Sequence, residues 1–357
     1  MRVALTASLA ALLAAPWARS AARPVDEIRS IRAVPAHVAG RFRNPAGFQQ
    51  SASGQYFVFD RGAHVVYGLD AQQQSSWAIV HIGFEEGRII DPTAFSVEPG
   101  GTFAVADAPN NRRRIQIFSP AGFRIGGFLL PGGAPMRIVF DNVAVSGIGA
   151  LQYTGESILI SQPDTGALIT EYALSGAVKR QIGRLRPTGH EDDPDVHVAL
   201  NSGIPLVDPA GGYYFVFQTG VPMMRKYDEA GDLVFERVIQ GREIDDLVAR
   251  LPTTWRRPSN GPGRAPSTRQ DRGASTGPAR AEDELPLVGP TVRSAAVDAK
   301  GSLWVAFVVP YIYVFDRDGD KIRTLQFRGA GIVSPNSMFF GRDGRLLVTP
   351  GLYELRP

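Results

Sequence analysis

Six times along the 357-residue chain a glycine is followed by a short apolar run that a further residue closes: Gly54 to Asp60, Gly101 to Asp107, Gly155 to Ser161, Gly212 to Gln218, Gly301 to Phe307 and Gly344 to Pro350. Within these runs, residues 56–59, 103–106, 158–160, 213–217, 303–306 and 346–349 are mostly aromatic, β-branched or aliphatic. That is the composition of a buried strand, and the glycine ahead of each suits a tight turn. A repeat of this kind restricts the fold to an array of similar units. The glycines recur about every 43 to 57 residues, with one interval of about 89, and roughly 40 to 50 residues is the period of four-stranded propeller blades. The long interval contains residues 252–289, where Pro, Gly, Ser, Thr and Arg dominate. Read as an insertion, this stretch restores an interval of about 50.

After each buried run a further strand pattern ends in an acidic or glycine-containing turn, as at residues 66–70, 225–231 and 311–319. Asp bonds the turn backbone and Gly accepts positive φ, so these close hairpins. An outer strand such as residues 321–327 completes a unit. The last unit lacks one, because the chain stops soon after residues 352–355, whereas residues 28–34 form a spare strand ahead of the first unit. Pairing the two removes an exposed sheet edge. The expected architecture is all-β: a six-bladed β-propeller over residues 23–357, closed by an N-terminal outer strand. One helix, with apolar residues at 244, 247, 248 and 251, and a disordered Pro/Gly/Arg-rich insertion at 252–289 fall between blades 4 and 5.

Residues 1–22 have a basic start, an apolar run from Val3 to Ala15 and small residues around Ala18 to Ala22, the pattern of a secretory signal peptide. No other stretch approaches the length of about 20 apolar residues needed for a membrane span. With no cysteine, an exported chain has neither disulfides nor thiolate metal sites. The expected location is periplasmic or secreted. A formal net charge of +3 says little about partners. The dense basic cluster, Arg256, Arg257, Arg264, Arg269, Arg272 and Arg280, lies in the insertion beside Asp271, which argues against nucleic-acid binding.

Residues 101–122, with Val105-Ala106-Asp107, then Asn110-Asn111-Arg112, then the strand from Ile115 to Phe118 and the turn at Gly122, resemble an NHL repeat. Arg113 and Arg114 are two residues more than that pattern has, and the likeness weakens in the other units. The resemblance implies an exported bacterial six-bladed propeller. Propellers of this kind include amidating lyases, a streptogramin-inactivating lyase, lactonases and proteins that only bind, so it implies where a site lies and not what it does. The enzymes among them use His or carboxylate ligands around a central metal.

If each glycine turn lies on one face, the ends of the second strands and the leading ends of the inner strands share the other. Arg43, Asn44, Asp91, Asn201 and Arg293 are leading-end residues, with Ser146, Ser202 and Asn336. Asp60, Asp107, Ser161 and Gln218 end the second strands. Asn44, Asp60, Asp91, Asp107, Asn201, Gln218, Arg43 and Arg293 are therefore the candidate ligand-binding ring at the channel mouth. Each Asp or Asn also suits the capping of loop backbone. Crowded carboxylates would call for a cation or for Arg43 or Arg293 beside them. His190 and His197 flank Glu191, Asp192, Asp193 and Asp195 and are the weak metal candidates, without the spacing of a known site. No catalytic residue emerges, and whether the chain is an enzyme stays open.

The leading functional expectation is a non-enzymatic binding or scaffold module whose ligand sits at the channel mouth, with a protein, peptide or saccharide of the envelope as its partner. No cofactor is read from the sequence. The alternative is a metal-assisted lyase or hydrolase at the same mouth, for which a divalent cation would be needed. Saccharide binding would use exposed aromatic rings, with Trp77, Trp255 and Tyr311 as candidates.

Overall fold

The computed structural model describes residues 24–131, 137–140, 143–146, 149–255, 288–328 and 331–357. Residues 1–22, the expected signal peptide, and most of the expected insertion, residues 256–287 with the six arginines, lie outside the described residues. The fold is an all-β propeller with α-helices at Ala36–Ala39, Pro194–Leu200 and Arg242–Ala249.

The six glycine-led runs are strands. Tyr56–Asp60, Phe103–Asp107, Ser157–Ser161, Tyr213–Phe217, Leu303–Phe307 and Leu346–Thr349 are the second strands of their units, all but Tyr213 buried. Each pairs antiparallel with an inner strand: Pro45–Gln50, Ala94–Val97, Leu151–Tyr153, Gly203–Val207, Val292–Val297 and Ser337–Phe340. Neighbouring inner strands touch all the way round a closed ring. Gly212, at φ 86°, shows what the turn needs. A Cβ there would run into the Tyr227 carbonyl, and a positive φ is strained for any other residue.

The expectation of six separate blades is not met. Four sheets have four strands each, and the remaining units form one continuous eight-stranded sheet. The cause is the N-terminal strand Val25–Ala33, which was expected to start at Ile28 and to have one partner. It pairs parallel with Lys321–Arg328, from Val25 opposite Thr324 to Arg29 opposite Arg328. Past a register irregularity it pairs antiparallel with Tyr353–Leu355, Ser30 facing Leu355 and Ala33 facing Tyr353. Its acidic start hid the first pairing: Asp26 accepts from Arg323 Nε at 3.0 Å. A single expected helix is likewise corrected to three among the described residues, and a hairpin, Arg137–Phe140 with Val143–Ser146, adds a two-stranded sheet.

The core lies between the faces of adjacent sheets. Phe57 and Phe59 of one sheet meet Phe95, Phe103 and Phe118 of the next, with ring centroids 5.2 to 5.7 Å apart. The Arg242–Ala249 helix buries Ile244 completely against Val292, Val305 and Tyr313, as its i, i+3, i+4 stripe requires. Tyr313 donates to Glu243 Oε2 at 2.6 Å. Among the described residues no helix is long and apolar enough to cross a membrane.

Candidate functional site

The six inner strands enclose a cavity of about 340 Å³. Its charged lining consists of Arg61 and Arg293; no Asp, Glu or His lines it among the described residues. The remaining polar lining is amide and hydroxyl, and the apolar part includes Phe59, Phe95, Leu206, Met338 and Phe339. Several of the polar groups are already engaged. Gln49 bridges two inner strands, accepting from Val97 N at 2.7 Å. Ser294 donates to the Pro335 carbonyl at 2.8 Å, Ser337 bonds Thr349 at 2.8 Å, and Arg293 Nη1 donates to Asn336 Oδ1 at 2.6 Å. The side chains of Asn44, Arg61, Thr93, Gln152 and Gln218 have no hydrogen-bond partner among the described residues.

Of the residues nominated from sequence, Asn44, Gln218 and Arg293 line the cavity. The carboxylates do not. Asp60 is buried and turned to the loop backbone, accepting from Arg43 N at 2.7 Å, Asn44 N at 2.9 Å and Ala63 N at 3.0 Å. Asp107 is buried in a bidentate pair with Arg114, at 2.9 Å from Nε and 2.6 Å from Nη2, and also accepts from Ile90 N. Burial pushes its carboxyl up, against the pull of Arg114. The Asp91 side chain is 69% exposed and 3.7 Å from His64 Nε2. Asn201 is buried between Arg186 and His197, accepting from Arg186 N at 2.8 Å and donating to the His197 carbonyl at 3.0 Å. Arg43 is exposed and uses its backbone N–H on Asp60. Among the described residues, then, the nominated carboxylates are not crowded together on the cavity wall.

The acidic 190–197 segment is a capped helix start. Pro194 opens Pro194–Leu200, and Asp193 accepts from Val196 N at 3.4 Å, the local pattern of an N-cap. His197 Nδ1 lies 2.7 Å from Thr188 Oγ1, and His190 packs edge-on against Trp255, centroids 4.8 Å apart. Among the described residues no three His, Asp or Glu side chains converge as metal ligands. Trp255 and Tyr311 pack on interior clusters, while Trp77 is 46% exposed.

Sequence reasoning missed Arg61. It directly follows Asp60, donates its backbone N–H to the Asn44 carbonyl at 3.0 Å and projects into the cavity lining. Arg61 lies one position beyond the end of its second strand, Tyr56–Asp60, outside the strand ends that the repeat marks. Burial alone pulls the Arg61 guanidinium below its ordinary pKa.

No family model matches the chain, and no curated protein matches it. Similar solved structures include a virginiamycin B lyase from Staphylococcus aureus, 11% identical over 88% of this chain and 84% of that one, TM-score 0.48. A streptogramin B lyase is 13% identical over 88% of this chain and 93% of that one, TM-score 0.49. The β-propeller domain of Swd1 from Myceliophteria thermophila is 8% identical over 88% of this chain and 96% of that one, TM-score 0.46. Likeness at this level says nothing about activity.

Proposed function

We propose that the protein is an exported, NHL-like propeller that works by binding, without catalysis, and holds its ligand in the central channel. The observation that carries this is the makeup of the channel wall: amides, hydroxyls, aromatic rings and two arginines. General acid and base catalysis and metal ligation draw on His, Asp and Glu, and the described wall offers none. A concave site with a few convergent polar groups on an apolar lining suits a small molecule or the end of a peptide or glycan. Export is supported by the signal-like residues 1–22 and the absence of cysteine, and fits a ligand of the cell envelope.

The test is calorimetry of EDTA-treated protein with Ca²⁺, Mn²⁺ and Zn²⁺, alongside turnover of chromogenic esters and lactones. The expected result is neither channel-dependent heat nor turnover. Metal-dependent turnover that Ala150→Trp, which fills the channel wall, abolishes would replace binding with the metal-assisted hydrolase or lyase.

A further inference from the structure

We propose that the channel recognises an anion carried on an aromatic or similarly apolar body, with Arg61 as the group that receives the negative charge; this rests on the binding reading above. Three observations converge on it. First, Arg61 is half-buried in the wall and has neither an ion pair nor a side-chain hydrogen bond among the described residues. A guanidinium withdrawn from water without a partner is unfavourable, and sites that break a local rule of satisfaction are where function resides. Second, the carboxylates nominated for this face do not line the channel: Asp60 bonds three backbone N–H groups, Asp107 pairs with Arg114, and the Asp91 side chain is exposed. Among the described residues no acidic side chain on the wall balances the arginine. Third, Asn44, whose backbone carbonyl accepts the Arg61 N–H at 3.0 Å, and Thr93 elsewhere on the same wall have side chains unengaged among the described residues, donors able to complete the coordination of a carboxylate, phosphate or sulfate oxygen.

The rest of the wall fits the body of such a ligand. Phe59 and Phe95, buried and stacked at 5.3 Å and 13°, border the cavity together with the buried Met338 and the half-buried Phe339. Arg293, tied to Asn336, adds a second positive charge to the wall. In a low-dielectric channel both charges act strongly on an anion, and the planar fork of Arg61 matches a carboxylate or phosphate edge.

Titrations with benzoate, phenyl phosphate and the neutral benzyl alcohol, on wild type, Arg61→Gln, Arg61→Met and Ala150→Trp, test this. Wild type should bind both anions and raise its Tm with them, while either Arg61 variant weakens the anions at least tenfold and leaves benzyl alcohol unchanged. An arginine with a purely structural role would lower the apo Tm when replaced; Arg61→Met should hold or raise it. Equal binding of all three probes, blocked by Ala150→Trp and indifferent to Arg61, would overturn the anion proposal and leave channel binding standing. Binding insensitive to Ala150→Trp, or no binding of any probe, would overturn both. Benzoate alone binding points to a carboxylate ligand, and phenyl phosphate alone to a phosphate ester; either supports the proposal.

Discussion

Arg114 grips Asp107 across a pair of adjacent strands with two parallel hydrogen bonds, Nε to Oδ1 at 2.9 Å and Nη2 to Oδ2 at 2.6 Å. Its remaining N–H groups reach the Phe84 and Arg88 carbonyls at 3.1 and 3.0 Å, so one side chain fastens the loop before the second sheet to that sheet. Neither partner is more than a tenth exposed. Arg114→Ala strands a buried carboxylate and two backbone carbonyls, and should cost about 3–5 kcal/mol. Urea unfolding measures it. The double replacement Asp107→Leu with Arg114→Met should recover much of the loss, because the uncompensated charge disappears with the pair.

That ion pair also shows what was legible in the sequence. Residues 101–122 announce strand, turn and strand, and the six glycines fix where the second strands start. Periodicity marks positions that are buried without saying what a buried Asp faces: Asp60 and Asp107 were placed at the correct strand ends and then found bonded inward to backbone and arginine. Arg61 escaped because a charged residue one step beyond a strand looks like surface. The separation into six blades failed at Val25–Ala33, whose second partner depends on a pairing across about 300 residues that no local pattern encodes.

Glu171 gives a pH signature. Burial raises its carboxyl, but the hydrogen bonds from Arg180 Nε at 2.6 Å and Lys179 Nζ at 3.0 Å outweigh that and hold the pKa below the ordinary carboxylate range. A carboxyl depressed in the folded state contributes stability that is present above its unfolded pKa, about 4.3, and is lost as pH falls through the folded value. Melting wild type and Glu171→Gln in parallel between pH 7 and 3 should show a stability gap that is constant down to about 4.5 and closes below it.

Gly212→Ala puts a Cβ against the Tyr227 carbonyl at a φ of 86°. The expected loss is about 1–3 kcal/mol, with the ligand affinity of the folded fraction intact, since the turn lies at the opposite end of its strand from Gln218. A lost affinity at unchanged Tm would contradict this placement.

Shortening the insertion tests its bounds. Trp255 and the buried Val288 pack on Val196, Ala199 and Leu200, so both ends of the 252–289 stretch belong to the packed structure. Deleting residues 258–285 should leave the Tm within a few degrees of wild type, whereas removing 253–289 uncovers the Pro194–Leu200 helix and should cost about 2–4 kcal/mol.

The central claim is that the channel, and Arg61 within it, is the binding site. A crystal structure of the protein soaked with phenyl phosphate tests it most directly. The account predicts density inside the inner-strand ring, the phosphate within hydrogen-bond reach of the Arg61 guanidinium and the ring against Phe59 and Phe95. Phosphate density outside the channel, or an Arg61 paired with a carboxylate of its own chain, would contradict it.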